Sequence, residues 1–174
     1  VAAADVAAGA AVARPRVLLV APRDSYRTAP YIAAARELGV DLLIASEGKH
    51  ALSGQEVPGV QVDLRDAPGS LETVLSAAQA QPFAGVIGTD DASADFAVQA
   101  STRLQLPHKP PLSVRLARRK DLARGHLARA GVPVPRHWPI DLTGPLGAQL
   151  ADVCFPCVVK PVALSASRGV IRAD

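Results

Sequence analysis

Lys120 is the residue whose position points most clearly to chemistry. The sequence predicts one helix over 116–130, in which Leu116 and Ala123 belong to the apolar stripe. Lys120 lies four residues after the first and three before the second, so it falls on that same stripe. Its ammonium group either reaches solvent along the alkyl chain or binds a phosphate in a cleft.

Lys160 is the second candidate, at the end of a predicted strand over 155–160. The loop that follows, 163–169, consists mostly of small residues and contains the hydroxyl groups of Ser165 and Ser167. Successive backbone N–H groups in such a loop can fold over phosphate oxygens. The alternatives are an ordinary solvated lysine and a plain hairpin loop, and the residues alone leave them open.

Acidic residues and cysteines give weaker signals. Asp90 and Asp91 follow a predicted strand over 84–88, at the edge where open α/β sheets bind ligands. Capping of the next helix is the favoured interpretation, with a substrate-facing role open for one of the two. Cys154 and Cys157 have C-x-x-C spacing but lead into a strand, so we interpret them as structural small hydrophobic residues, not as a redox pair or a zinc site.

Strands and helices alternate through the first part of the chain, with short connections. This pattern predicts βαβ units, a parallel sheet and a Rossmann-like α/β fold. No G-x-G-x-x-G follows the first strand, which disfavours a NAD or FAD dehydrogenase, and the sequence has no Walker-type phosphate loop. The predicted strands are 16–21, 40–45, 60–64 and 84–88, and the predicted helices are 27–38, 70–80 with Ser70 as N-cap, and about 90–104.

A proline-rich break at 106–111 separates these elements from a region of different character. The sequence therefore predicts an Ala-rich flexible leader over 1–14, a Rossmann-like domain over 15–112 and the truncated beginning of a second, α+β domain over 113–174. After the helix over 116–130, the predicted elements are a strand at 138–140, a helix at 146–153 and a hairpin of 155–160 with 169–173.

Composition narrows the class of protein. Hydrophobic residues make up 49% of the 174 residues and aromatic residues only 3%, which suits an aliphatic α/β core. No apolar run approaches the ~18 residues of a membrane helix. Two cysteines do not make a secreted disulfide framework. A cytoplasmic protein is therefore predicted.

Charge is distributed unevenly along the chain. Residues 103–136 contain nine lysines and arginines against one acidic residue, Asp121, which gives +8 and leaves −5 for the rest of the +3 chain. A local basic segment on a nearly neutral protein indicates an anionic ligand, such as a nucleotide or a nucleic-acid backbone. Nucleic acid is the weaker alternative, because the segment lacks interleaved aromatic residues for base stacking.

Several short motifs follow one another in the second region: Ala117-Arg-Arg-Lys120-Asp, Arg124, Leu127-x-x-Ala130-Gly-Val-Pro-Val-Pro135, Phe155-Pro-x-Val-Val-Lys160-Pro-Val and Ser165-x-Ser167-Arg-Gly-Val170. Their order and spacing resemble the entry into an ATP-grasp domain, the superfamily of biotin carboxylase, D-alanine–D-alanine ligase and amino-acid ligases. The preceding domain is similar only in architecture to the pre-ATP-grasp domain of that superfamily.

The resemblance implies an ATP-dependent ligase that forms an acyl phosphate from a small carboxylate and passes the acyl group to an amine or thiol. It implies that Lys120 and Lys160 contact the ATP phosphates and that 163–169 is the flap above them. The flap residues implied to bind ATP are Ser165, Ser167, Arg168 and Gly169.

The resemblance also implies Mg²⁺ as a cofactor, with its acidic ligands and the catalytic arginine expected past residue 174. We therefore expect this chain to bind ATP weakly and to be inactive by itself. A non-enzymatic nucleotide- or nucleic-acid-binding module and a homodimerisation fragment stay open as alternatives. The sequence specifies neither the carboxylate, nor the acceptor, nor the order of the strands.

Overall fold

The computed structural model describes residues 13–23, 25–48, 57–165 and 167–174. The chain divides into two compact units, residues 1–108 and 109–174. The leader predicted over 1–14 lies almost entirely outside the described residues. No helix in the described ranges is long and apolar enough to cross a membrane.

A four-stranded parallel sheet forms the centre of the first unit. Its strands are β1 (Arg16–Ala21), β2 (Asp41–Ser46), β3 (Gly59–Gln61) and β4 (Gly85–Gly88). They lie in the order β3-β2-β1-β4, and every neighbouring pair is parallel, so the predicted parallel α/β sheet is confirmed. The chain moves outward from β1 to β3 and then returns to the other side of β1, which makes the strand order reverse between β1 and β4.

Helices cover both faces of this sheet. The three helices are α1 (Thr28–Leu38), α2 (Ala67–Ala80) and α3 (Asp91–Arg103). Successive residues of β1 face opposite sides, so Leu18 belongs to one apolar cluster and Leu19 to another. The first cluster includes Val74 of α2 and Phe96 of α3, and the second includes Ile32 of α1. Burial on both faces explains why the strand sequences are almost continuously aliphatic.

The start of α2 differs from the prediction. Asp66 is its N-cap and accepts a hydrogen bond from the Gly69 N–H, so the prediction that Ser70 caps this helix was wrong. Ser70 is only 5% exposed, and its hydroxyl both donates to the carbonyl of Asp63 and accepts from the Asp63 N–H, each at 2.8 Å. The Ser70 hydroxyl therefore ties α2 to the segment that follows β3.

The end of β4 lies unusually close to α3. A Cβ atom at Gly88 would lie 3.1 Å from the carbonyl oxygen of Ser93 and 3.2 Å from the Cα of Ala94. Ser93 is fully buried, and it forms a capping box with Asp90 at the start of α3. Both contacts are to backbone that the cap holds in place, so Gly88 is needed for this approach.

Two helices open the second unit, where the sequence had predicted one over 116–130. They are α4 (Pro111–Arg118) and α5 (Lys120–Arg129). The prediction was wrong because Arg119 has an extended backbone, with φ −116° and ψ 101°. The interruption changes the helical phase, so Leu116 and Lys120 do not share one apolar stripe. A bidentate pair between Arg119 and Asp121, at 2.6 and 3.0 Å, accompanies the break and holds the pKa of Asp121 below its usual range.

The hairpin predicted in the second unit is confirmed, with shorter strands. The remaining elements are α6 (Leu146–Leu150), β5 (Cys157–Val159) and β6 (Ile171–Ala173), and β5 pairs antiparallel with β6. The helix predicted over 146–153 ends three residues earlier than expected, at Leu150. Residues 138–140 are not a strand, because no described segment pairs with them; the Trp138 ring packs instead against the guanidinium of Arg136 at 5.1 Å.

We predict that Gly88→Ala destabilises the first unit by about 1–3 kcal/mol, because the new methyl group must displace backbone atoms of Ser93 and Ala94. Gly85→Ala is the matched control on the same strand, since its Cβ would have no heavy atom within 4 Å. The control is expected to change stability by less than about 1 kcal/mol. Urea unfolding measures both, and equal effects would contradict the close-approach argument.

Ser70→Ala is expected to lower the free energy of unfolding by about 1–3 kcal/mol, because it removes the hydrogen-bond partner of the Asp63 N–H at a buried position. Thr73→Ala, on the exposed side of the same helix, should change stability by less than about 0.5 kcal/mol. Thermal unfolding of the two variants is the measurement. A Ser70 variant as stable as the Thr73 variant would show that the hydroxyl tie is dispensable.

Candidate functional site

In the second unit, Lys120 opens α5 and lies against the segment that follows β5. Because the helix is interrupted at Arg119, the backbone N–H of Lys120 is free to leave the helical ladder, and it donates to the carbonyl of Val162 at 3.0 Å. Its side-chain Nζ donates to the carbonyl of Leu164 at 2.5 Å. Both ends of Lys120 therefore fix α5 to the beginning of loop 163–169.

Lys160 directly follows β5 and is exposed. Within the described ranges, no residue forms a hydrogen bond or ion pair with its ammonium group. Lys120 is bonded to residues two and four positions beyond Lys160, so the structure brings both lysines to one short stretch of chain. One cation is therefore engaged with a carbonyl, and the other is available to a ligand.

The loop 163–169 forms compact turns; residue 166 lies outside the described residues. The Arg168 N–H donates to the carbonyl of Ser165 at 3.3 Å, and the Val170 N–H donates to the carbonyl of Ser167 at 3.4 Å. Ser167 has a left-handed backbone with φ 57°. No described residue is hydrogen-bonded to the hydroxyl groups of Ser165 and Ser167, so these two donors are available.

Gly169 closes the loop, and its position requires glycine for two reasons. Its φ of 67° is left-handed, and a Cβ atom would lie 2.9 Å from the Cγ of Pro161. The ring of Pro161, just after Lys160, therefore packs against the backbone at the end of the loop. This single glycine fixes how the loop returns to β6.

A second candidate site lies in the first unit, at the carboxyl ends of β1 and β4. The carboxylate of Asp90 accepts from the N–H groups of Ala92 and Ser93, at 3.0 and 3.3 Å, and from the hydroxyl of Thr89 at 3.0 Å. The capping interpretation of Asp90 thus describes what its side chain does in this structure. Asp91, also singled out from the sequence, is exposed in the first turn of α3.

Sequence analysis missed Ser25 and Arg27 at this same edge. The Arg27 Nη1 donates to the carbonyl of Thr89 at 2.9 Å, its Nε donates to the Tyr26 hydroxyl at 3.2 Å, and the Ser25 and Thr89 hydroxyl oxygens lie 3.1 Å apart. The pKa of Arg27 is raised, chiefly by the hydrogen bond to Tyr26 and less by the charge of Asp90. The sequence signal that could have identified this site was a positively charged residue, Arg27, in the segment after the first predicted strand.

The described part of the chain contains both cysteines and no cluster of metal-ligating side chains. No group of three or more His, Cys, Asp or Glu side chains there could hold a metal ion, so these residues do not fit a Mg²⁺ site. Cys154 and Cys157 are both free thiols. Cys154 is exposed, so the interpretation of both cysteines as packed hydrophobic residues was wrong for Cys154.

One protein-family model matches part of the chain. Residues 32–108 match the model of the ATP-grasp N-terminal domain. This match covers most of the first unit, from α1 to its end. No curated protein matches the chain.

Several solved structures share this fold. An L-amino acid ligase from Bacillus licheniformis has a TM-score of 0.72 and 24% identity, covering 94% of this chain and 40% of that chain. N5-carboxyaminoimidazole ribonucleotide synthetase from Thermus thermophilus has a TM-score of 0.62 and 23% identity, covering 88% and 40%. An ADP complex of another such synthetase has a TM-score of 0.71 and 13% identity, covering 93% and 42%.

The chain therefore spans only about 40% of the length of the solved structures that it resembles. The similarity of fold covers 94% of this chain in the first of these structures and 93% in the ADP complex. Residues 32–108 are thus similar to the N-terminal domain of the ATP-grasp family, and the solved structures support a likeness of fold.

Proposed function

We propose that this chain supplies the N-terminal part of an ATP-dependent ligase that joins a small carboxylate to an amine or a thiol through an acyl phosphate. One observation in the second unit carries the proposal. Lys120 is bonded to loop 163–169 next to Lys160, so two cations and a loop with available hydroxyl donors occur together. Such a set suits the phosphates of ATP.

Lys120 and Lys160 would offset the negative charge of the phosphates. A lysine ammonium is a compact charge on a flexible stem, which can follow a phosphate oxygen as a ligand enters. In this structure, the Lys120 Nζ donates to the neutral carbonyl of Leu164. A phosphate oxygen would replace that carbonyl, because hydrogen bonds between two charged groups are stronger than those to a neutral acceptor.

Loop 163–169 would then close over the phosphates. When a phosphate oxygen replaces the Leu164 carbonyl as the partner of the Lys120 Nζ, Leu164 loses this hydrogen bond. Phosphate binding would therefore also free the start of the loop. The hydroxyls of Ser165 and Ser167 are available as donors, and the Arg168 guanidinium, held at 3.4 Å to the carbonyl of Ser165, adds a third cation. Gly169 keeps the far end of the loop fixed against Pro161.

These residues bind and orient nucleotide, and they do not complete a catalytic site. ATP would supply the phosphoryl group that activates the carboxylate. The described residues offer no cluster of metal ligands, so the phosphate charge is offset by lysines and loop donors alone. We therefore propose weak nucleotide binding and no turnover by this chain alone.

Lys120→Ala and Lys160→Ala are each expected to weaken ATP binding by about tenfold, which corresponds to the loss of one hydrogen bond to a charged group. The unchanged chain should bind ATP with a Kd on the order of 1 mM, since few contacts contribute. Isothermal titration calorimetry measures all three proteins. Arg129→Ala, at the far end of α5, is the control for simple loss of positive charge and should bind like the unchanged chain.

Two results of this titration would contradict the proposal. Equal losses of ATP affinity in the Lys120, Lys160 and Arg129 variants would mean that ATP binding depends only on the net charge of the chain. Tight binding or ATP hydrolysis by the chain alone would show that its site is complete. A steep salt dependence of DNA or RNA binding, with no preference for ATP, would favour the nucleic-acid-binding alternative.

Gly169→Ala is predicted to lower ATP affinity by about fivefold or more, because a left-handed alanine costs about 1–2 kcal/mol and its methyl group meets Pro161. Gly147→Ala, in α6, has no heavy atom within 4 Å of its Cβ and serves as the matched control. Calorimetry with ATP compares the two. The loop argument fails when both variants bind ATP alike and unfold at the same temperature.

The ligase activity itself is tested on a longer protein that contains this chain. ADP release is measured across pairs of small carboxylates and amines or thiols. We expect release that requires both partners and that Lys120→Ala and Lys160→Ala reduce. ATP hydrolysis that no carboxylate stimulates would rule out the proposed reaction.

A further inference from the structure

Arg27 lies where an open α/β sheet leaves a crevice for a ligand. The order β3-β2-β1-β4 reverses between β1 and β4, and the connections after these two strands run to opposite faces of the sheet. Ligands of open sheets bind at the carboxyl ends of the strands at such a reversal. Ser25 and Arg27 follow β1, and Thr89 and Asp90 follow β4, so four polar side chains meet there.

The guanidinium of Arg27 is already fixed at this edge of the sheet. Its Nη1 donates to the carbonyl of Thr89 at 2.9 Å, its Nε donates to the Tyr26 hydroxyl at 3.2 Å, and it lies 5.4 Å from the centre of the Tyr26 ring. Within the described ranges, Nη2 has no hydrogen-bond partner. The long side chain of Arg27 is thus held in one position while its Nη2 has no described partner. Because the side chain is already ordered, it would lose less conformational entropy when a ligand binds.

A structural tie between the two strand ends explains only part of this arrangement. One N–H bond to Thr89 is sufficient to join them, and the hydroxyls of Ser25 and Thr89 make a second link at 3.1 Å. Arg27 is exposed, and its Nη2 meets no hydrogen-bond partner among the described residues. A guanidinium with a free edge presents parallel donors that match a carboxylate or a phosphate.

The charges around Arg27 further restrict the chemical class of the ligand. Asp90 lies near enough to act electrostatically on the guanidinium, and Asp91 next to it is exposed. These carboxylates oppose a plain anion but favour a molecule that also carries a cation. We propose that Arg27 binds the anionic group of a small zwitterion whose ammonium group lies beside Asp90 and Asp91. That this zwitterion is a substrate rests on the proposed ligase function; its binding does not require ATP.

Nuclear magnetic resonance of the ¹⁵N-labelled chain tests the site with four small probes. L-alanine carries a carboxylate and an ammonium group, and phosphoethanolamine carries a phosphate and an ammonium group. Acetate and ethylamine each lack one of the two charges. We expect saturable shifts of the Ser25 and Asp91 amides and of the Arg27 Nε–H with the zwitterions, and at least about fivefold weaker binding of acetate and ethylamine.

Variants separate binding from structure. Arg27→Gln should weaken zwitterion binding by about tenfold, whereas Arg36→Gln, in the last turn of the same helix, should leave it unchanged. Asp91→Asn should weaken binding of L-alanine but not of acetate, because it removes only the partner of the ammonium group. Arg27→Lys keeps the charge without the paired donors, and we expect it to bind zwitterions more weakly than the unchanged chain while its unfolding temperature shows that it is folded.

The two proposals fail separately in these experiments. Lys120→Ala should leave the L-alanine titration unchanged. If the unchanged chain binds L-alanine but shows no ATP binding, the result counts against the ligase function alone. Tighter binding of alanine than phosphoethanolamine assigns a carboxylate to Arg27, and the reverse assigns a phosphate. No shift with any probe, equal binding of acetate and the zwitterions, or equal binding by the Arg27→Gln and Arg36→Gln variants would overturn the inference.

Discussion

Burial of β1 on both faces is the constraint on which the first unit depends. Leu18 and Val20 face one apolar cluster and Leu19 faces the other, and all three are at most 1% exposed. A strand buried on both faces needs a helix layer on each side, which parallel βαβ connections provide. It also needs a neighbour on each edge, and β2 and β4 take those places. With β2 and β3 on one side of β1 and β4 on the other, the strand order reverses next to β1.

The second unit depends on a different local feature, the extended backbone at Arg119 between α4 and α5. A continuous helix would have used the Lys120 N–H within its own ladder. The break releases that N–H to Val162 and directs the side chain to Leu164. The start of α5 and the segment after β5 are therefore joined by two hydrogen bonds of one residue, Lys120.

Both candidate sites use a cation that is already engaged with a backbone carbonyl. Arg27 is held by Thr89, and its Nη2 has no partner in the described part of the chain, so a ligand at the proposed site would add to its contacts. Lys120 is held by Leu164 through its only charged group, so a ligand must compete with that contact. The first arrangement favours preorganised binding, and the second favours coupling between binding and loop movement. This difference follows from side-chain chemistry, since a guanidinium has five donors in a rigid fork and an ammonium has three at one point.

The sequence by itself determined the parallel α/β unit and the hairpin of β5 and β6, because local periodicity and turn residues record these features directly. The phosphate-binding role of Lys120, Lys160 and loop 163–169 stays a prediction. The sequence placed Lys120 on a false stripe, since neither Leu116 nor Lys120 reveals the break at Arg119. Only the tertiary structure decided the strand order, the role of Ser70 at Asp63 and the contact of Arg27 with Thr89, residues 62 positions apart. Those contacts join backbone groups to side chains across separate elements, and no local pattern encodes which distant carbonyl a donor will meet.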